Sequence, residues 1–365
     1  MNVSHLDLNC SLPTLASIIV KLNLPQVLGK KSLTMRIDTF NPPKYLRNKH
    51  VQSIMNSVGP KKLRAKQLAK SMGSENITIA TNKNIKLTAE FDQAQYRFEG
   101  QAKDETSPLV VLIHGWEGSS QSAYQVTTAS FLLRKGFDVL RLNLRDHGDS
   151  HHLNREFFNS TLLEEVGDAI KVFNQQNNYQ RLFLAGFSLG GNFTLRIAAD
   201  RGEELGISAA VAICPPIDPN NAMRAMNDSL FIYESYFFKR WTTSLKKKLH
   251  HFPELGTGLD LSNIRTLEDI NKTFIPRFTP FSDPESYFSA YAITGSRLGK
   301  LSIPSYLFAT ADDPILPITD VDKIDHIDAL SIIRQSYGGH CGFISDLKGN
   351  SWIPAQMTDI FNQHR

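Results

Sequence analysis

An apolar run, RLFLAGF, enters a tight turn at Ser188 and passes directly into a helical pattern, GGNFTLRIAADRG. The turn has the form Gly186-x-Ser188-x-Gly190. A serine between glycines at the junction of strand and helix permits three readings: a plain turn, a phosphate cradle, or a mount for a reactive hydroxyl. A phosphate-binding loop wants a lysine after its last glycine, and Asn192 and Phe193 stand there instead. The third reading has a steric logic. A nucleophile on a sharp turn sits in strained backbone, and flanking glycines remove the Cβ atoms that would clash. The hydroxyl then lies at a helix N-terminus, where positive partial charge favours a developing oxyanion.

The surrounding pattern extends this strand–turn–helix unit into a layered fold. NITIAT and IKLTAEF read as two strands joined by an Asn-Lys-Asn turn at 82–84. PLVVLIHGW, DVLRLNLRDHG, RLFLAGFS and ISAAVAICPP read as strands, with SAYQVTTASFLLRKG, TLLEEVGDAIKVFNQQ and GGNFTLRIAADRG as helices between them. Strands alternating with helices imply a parallel sheet covered on both faces. The alternation stops at about 223 and resumes near 302 with SYLFATADD, a helix over 320–328, LSIIRQSYGGH and a C-terminal helix. The expected organisation is an N-terminal extension (1–45), a first core segment (46–222), a helical cap insertion (223–301) and a second core segment (302–365). Within the cap, Leu230, Tyr233, Phe237, Trp241 and Leu245 share one helical face. That face packs the cap onto the core, walls an acyl-chain pocket, or does both.

Length and charge bound the alternatives. The chain has 365 residues, enough for one large α/β domain with an insertion or for two small domains. A net charge of +4 is too weak a signal for nucleic-acid binding. The basic run KKLRAKQLAK at 61–70 reads as a solvated helical face, with contact to anionic lipid as the alternative. Cys10, Cys214 and Cys341 form no CxxC pair and suggest a reducing compartment without a disulfide framework. The apolar stretch around Ile18, Ile19 and Val20 is interrupted by Pro13, Lys21 and Pro25 and is too short to span a bilayer. The expectation is a soluble cytoplasmic chain, with peripheral contact to a membrane surface left open.

A serine hydroxyl needs a base near neutral pH. YGGHCGF places His340 in a glycine-rich loop after a strand, and ATADDPILP places two aspartates at the end of an earlier one. Pro314 biases Asp313 toward extended backbone, and Pro317 follows four residues on, so Asp313 is the expected acid and Asp312 its competitor. The chain order Ser, Asp, His is that of the α/β-hydrolases. The backbone N–H groups of Trp116, in LIHGWEGSS, and of Leu189 are the expected oxyanion donors. His114 reads as a brace for its loop.

Taken together, NPPKYLRNKHVQSI, IHGWEGSSQSAY, GFSLGGN, and ATADDPILP with GGHCGF resemble the α/β-hydrolase superfamily, and within it the YheT-type branch. That branch also holds related eukaryotic lipases and yeast acyl-ester synthases. The resemblance covers about residues 41–365. It implies an eight-stranded, mostly parallel sheet with helices on both faces and a helical cap inserted after the sixth strand. It also implies a triad of Ser188, His340 and Asp313 that cleaves acyl esters without cofactor or metal. The implied partner is a small-molecule or lipid ester. Alcohol acyl transfer and a non-catalytic binding role on the same scaffold are the rival readings. One departure stands out: where relatives have Arg-Gly and small residues, this chain reads RDHGDSHHLN, with Asp146, His147, Asp149, His151 and His152. A metal site, a hydrogen-bonded polar loop on the pocket rim, and a contact to a polar group of the substrate are the three readings of that loop.

Overall fold

A computed structural model describes residues 37–94 and 107–365. The N-terminal residues 1–36, with Cys10 and the stretch around Ile18, lie outside the described residues.

The strands are β1 (Glu75–Ala80), β2 (Lys86–Asp92), β3 (Leu109–Ile113), β4 (Asp138–Leu142), β5 (Leu182–Phe187), β6 (Ile207–Ile213), β7 (Ser305–Thr310) and β8 (Leu330–Gln335). They form one sheet in the order β1-β2-β4-β3-β5-β6-β7-β8. β1 and β2 make an antiparallel hairpin, β2 pairs antiparallel with β4, and every later pairing is parallel. Asn84 takes the positive φ of the hairpin turn.

The helices are α1 (Lys49–Met55), α2 (Pro60–Met72), α3 (Ala123–Arg134), α4 (Leu163–Asn177), α5 (Leu189–Arg201), α6 (Pro219–Asn227), α7 (Phe231–His251), α8 (Leu267–Phe278), α9 (Pro284–Ala290) and α10 (Ile353–Gln363). The central strands are continuous apolar runs because both their faces are covered. Leu182 and Leu184 of β5 join the core built with Val166 and Ile170 of α4 and Phe193 and Ile197 of α5. Phe183, one residue out of phase, stacks on Phe361 of α10 at 4.6 Å between ring centroids. Period-two alternation thus sends neighbouring side chains into opposite layers.

Three local readings change. The segment 320–328 holds a 3₁₀ turn, Ile318–Lys323, rather than a longer helix. The basic run at 61–70 is not uniformly solvated: Lys61 is buried and bonds Asn56 Oδ1 at 2.6 Å, and burial pushes its pKa down to about 7. Leu230 is half-exposed and caps α7 instead of joining its buried face. Between β6 and β7 the chain carries α6 to α9, and position 223 falls inside α6, which Asp218 caps from its N-terminal side. Among the described residues, no helix is long and apolar enough to cross a membrane.

Candidate active site

Ser188 follows the last residue of β5 and precedes the first of α5, with φ 53° and ψ −122°. This region is costly for a residue with a side chain, about 1–3 kcal/mol, so the surroundings must enforce it. Its N–H donates to Ile213 C=O at 2.8 Å, and its own C=O accepts from Gly191 N–H at 2.8 Å. A Cβ on Gly186 would overlap the Gly190 backbone, and one on Gly190 would overlap Ile113 C=O at the end of β3. Both glycines are therefore required for the elbow to close against the neighbouring strand.

The loops after β7 and β8 bring two further side chains to this point. His340 Nε2 lies 2.9 Å from Ser188 Oγ, and His340 Nδ1 lies 2.8 Å from Asp313 Oδ2. The other oxygen of Asp313 accepts the N–H groups of Ile315 (2.9 Å) and Leu316 (3.0 Å), which fixes the carboxylate plane. Asp312 turns elsewhere and accepts Gly339 N–H at 2.8 Å. Ser188, His340 and Asp313 thus form one hydrogen-bonded chain, with Asp312 bracing its loop. Burial alone disfavours charge on His340, but the Asp313 carboxylate and Cys341 beside it outweigh burial and hold its pKa well above the ordinary imidazole value. Cys214 and Cys341 are free, buried thiols.

The turn Gly115–Gly118 lies after β3 and is closed by Gly118 N–H to Gly115 C=O at 2.9 Å. His114 is buried at its base. His114 Nε2 accepts Leu144 N–H at 3.1 Å, so the proton is on Nδ1, which donates to Gly115 C=O at 2.8 Å. Burial holds the His114 pKa well below the ordinary value, and the ring is neutral. His114 therefore braces its loop. It fixes the plane of the 115–116 peptide, whose N–H belongs to Trp116 and points away from the pinned carbonyl. Leu189 is the first residue of α5, and the first N–H groups of a helix lack intrahelical partners.

A pocket of about 170 Å³ opens from Ser188, Leu189 and Trp116. Phe157, Phe274, Ile275 and Phe278 line its length, with Phe237, Trp241 and Leu245 of α7 above. Phe237 stacks on Trp116 at 5.1 Å, and Trp241 meets Phe274 edge-on at 4.4 Å. Tyr233 is buried with Leu245 on the expected face of α7, and its hydroxyl also reaches α1, bonding His50 Nδ1 at 2.9 Å.

The loop after β4 is densely hydrogen-bonded. Asp146 pairs with Lys248 at 2.7 Å and accepts Phe158 N–H at 2.9 Å. Asp149 pairs with Lys247, and His151 Nε2 bonds Ser244 Oγ at 2.8 Å. His147 Nδ1–H donates to Arg145 C=O at 2.6 Å, leaving Nε2 to accept Glu117 N–H at 3.2 Å. Among the described residues, no three His, Cys, Asp or Glu side chains converge as metal ligands.

Some residues were invisible as site elements in the sequence. α1 holds the His340 loop: Ser53 Oγ accepts His340 N–H at 2.8 Å, and buried Gln52 bonds both the N–H (2.6 Å) and the C=O (3.1 Å) of Ile344. The stretch NPPKYLRNKHVQSI carried family resemblance but nothing in it pointed to the histidine loop. Phe157, Phe274 and Phe278 enter the pocket from segments whose pattern shows only helix packing.

Comparison with known proteins agrees with this architecture. Residues 108–346 match the model of the α/β hydrolase fold. YheT of Escherichia coli (strain K12) is 22% identical over 268 residues, covering 72% of this chain and 78% of the relative. The embryogenesis-associated protein EMB8 of Picea glauca is 19% identical over 339 residues, covering 88% and 72%. Among solved structures, the Pyrococcus furiosus esterase Pf2001 superposes with a TM-score of 0.53 at 15% identity, covering 88% of this chain and 99% of that one. The 2,6-dihydroxy-pseudo-oxynicotine hydrolase gives 0.53 at 15% identity, covering 82% and 72%.

Proposed function

We propose that this chain, which belongs to the α/β hydrolase fold family, is a serine hydrolase that cleaves acyl esters through an acyl-enzyme. The observation that carries this reading is the continuous hydrogen-bonded path from Ser188 Oγ through His340 to Asp313. In it, His340 Nε2 takes the Ser188 proton as Oγ attacks the ester carbonyl. Asp313 holds the Nδ1–H tautomer and stabilises the imidazolium. The N–H groups of Trp116 and Leu189 receive the negative oxygen, each worth about 3–4 kcal/mol in such a hole. His340 then returns the proton to the leaving alcohol, and water repeats the sequence on the acyl group. The chemistry draws on no cofactor.

The pocket supports an acyl chain as the substrate's apolar part. Its aromatic lining begins beside Ser188 and runs beneath α7 and α8, the segment read as the cap (223–301). The names of YheT and Pf2001 point to esterases, in keeping with this reading. The partner is then a small-molecule or lipid ester.

The test is hydrolysis of a graded series of acyl esters by the purified chain, with Ser188→Ala as control. Turnover that depends on Ser188 and varies with chain length supports the proposal. Adding a primary alcohol to the same assay separates hydrolysis from acyl transfer by the ester formed. No turnover of any ester would leave a binding role.

A further inference from the structure

The His/Asp-rich loop after β4 stands against the turn that carries the proposed oxyanion donor. In that turn Glu117 has φ 54°, a left-handed conformation that a side-chain-bearing residue resists. Three consecutive peptide planes are held there by three different side chains. His114 Nδ1–H fixes the 115–116 plane through Gly115 C=O. His147 Nε2 fixes the 116–117 plane by accepting Glu117 N–H at 3.2 Å. Arg240, reaching down from α7, fixes the 117–118 plane by donating Nε–H to Glu117 C=O at 2.8 Å.

The same loop grips the cap helix directly. Lys248 of α7 is buried, and its ammonium bonds Asp146 Oδ1 (2.7 Å), Asn154 C=O (2.5 Å) and Glu156 C=O (3.0 Å). Phe237 of α7 stacks on Trp116 itself. The turn is therefore held from below by the β4 loop and from above by the cap, and those two supports are fastened to each other. Without both contacts the left-handed Glu117 would relax, leaving His114 alone to hold the turn that carries Trp116 N–H.

We infer that His147 and Arg240 are positioning residues that set the oxyanion turn, so that a competent hole forms only when the cap is seated on the β4 loop. The inference rests on the serine-hydrolase reading above. It assigns the DHGDSHH loop to transition-state geometry and cap docking. Arg240 lies outside the pocket lining, whereas His147 also borders the pocket; the role inferred for both runs through the Glu117 peptide groups.

The test uses the full chain, an acetyl ester and a fluorophosphonate probe. His147→Phe keeps a ring but removes the acceptor; His147→Gln restores an acceptor. Arg240→Ala removes the donor, and Arg240→Lys restores one. Loss of a whole oxyanion donor costs about 10²–10³ in kcat; loosening one should cost His147→Phe and Arg240→Ala about ten-fold in kcat. KM should stay within about two-fold, because a short ester barely uses the pocket. The Gln and Lys variants should recover most of the loss. The double variant His147→Phe/Arg240→Ala should fall short of the product of the single losses, since both act on one turn. Lys171→Ala, which removes an exposed ion pair with Glu204 that touches neither the turn nor the β4 loop, should leave kcat unchanged. Should His147→Phe not fold, the surface-reaching Arg240 pair of variants decides the matter. Unchanged kcat in folded Arg240→Ala, or a loss confined to KM, overturns the inference while probe labelling of Ser188 shows the serine-hydrolase reading intact. An unlabelled wild-type chain overturns that reading and the inference with it.

Discussion

Ser53 Oγ accepts the backbone N–H of His340 at 2.8 Å across 287 residues of sequence. The contact places the start of the described chain in direct support of the proposed base. Ser53 is itself anchored, donating to Lys49 C=O at 2.7 Å within α1. One residue earlier, Gln52 is fully buried and satisfies Leu46 C=O at 2.8 Å as well as the Ile344 peptide groups. The helix is a clamp for the histidine loop.

Gln52→Ala should cost about 2–4 kcal/mol of stability, because it leaves several buried polar groups unpaired. Ser53→Ala should cost about 1 kcal/mol and lower kcat several-fold, through a loosened His340 backbone. Denaturant unfolding of both variants, with ester kinetics on the folded proteins, checks this. A silent Gln52→Ala would contradict the clamp.

The two adjacent aspartates should separate cleanly. Asp313 meets His340 Nδ1, whereas Asp312 accepts backbone N–H groups of that loop, Gly339 at 2.8 Å and Gly338, without meeting the imidazole. Asp313→Asn should reduce kcat by about 10⁴-fold, the loss that follows when the imidazole tautomer is reversed. Asp312→Asn should lose far less. Steady-state kinetics of the two variants decides between them, and a reversed order would move the acid to Asp312.

The pH profile follows from the same geometry. The proposed base, His340, must be neutral to accept a proton, and Asp313 and Cys341 outweigh burial to hold its pKa above the ordinary 6.5. Activity should therefore rise with pH, with the acid limb of kcat/KM centred above 6.5. Asp313→Asn removes the raising charge, so its limb should move to lower pH while its plateau drops. A limb at or below the ordinary value in the wild-type chain would be inconsistent with the Asp313 contact.

Acyl-chain preference should lie in the aromatic lining. Phe237 and Trp241 flank the pocket, and each buried CH₂ contributes about 0.8 kcal/mol. Phe237→Ala and Trp241→Ala should therefore reduce kcat/KM for octanoyl esters more than for acetyl esters. Phe237→Ala should also show some loss on the acetyl ester, because its ring stacks on Trp116. Measurements on acetyl, butyryl and octanoyl esters test this; equal proportional losses would make the α7 face structural only.

The sheet and its order of elements were legible because buried parallel strands leave continuous apolar runs between turn residues, as in LVVLI and LFLAGF. Ser188 and Asp313 were readable as candidates because each follows closely on a buried strand, β5 or β7, whereas His340 stood out by its glycine-rich loop after β8, a largely exposed edge strand. What was not legible depends on contacts between distant segments. Nothing local in KHVQSI says that Gln52 and Ser53 hold a loop near residue 340. Likewise, DHGDSHH leaves ligands, a hydrogen-bonded polar loop and a substrate contact all open in sequence, and its hydrogen-bond partners Lys248, Ser244 and Glu117 come from distant segments. Leu230 fits a helical stripe by spacing alone, yet it stands one residue before α7 begins, where the backbone is extended and no neighbouring turn covers it.

The central claim is that Ser188 is the nucleophile, and the most direct measurement is covalent labelling read by peptide mass spectrometry. The wild-type chain, treated with a fluorophosphonate, should carry one adduct on the peptide containing Ser188 and lose ester turnover in step with labelling. Ser188→Ala should fold, take no adduct there, and turn over about 10⁴–10⁶-fold more slowly. An adduct at another residue, or a Ser188→Ala variant keeping more than about a tenth of wild-type turnover, a loss far too small for a triad member, would contradict the account.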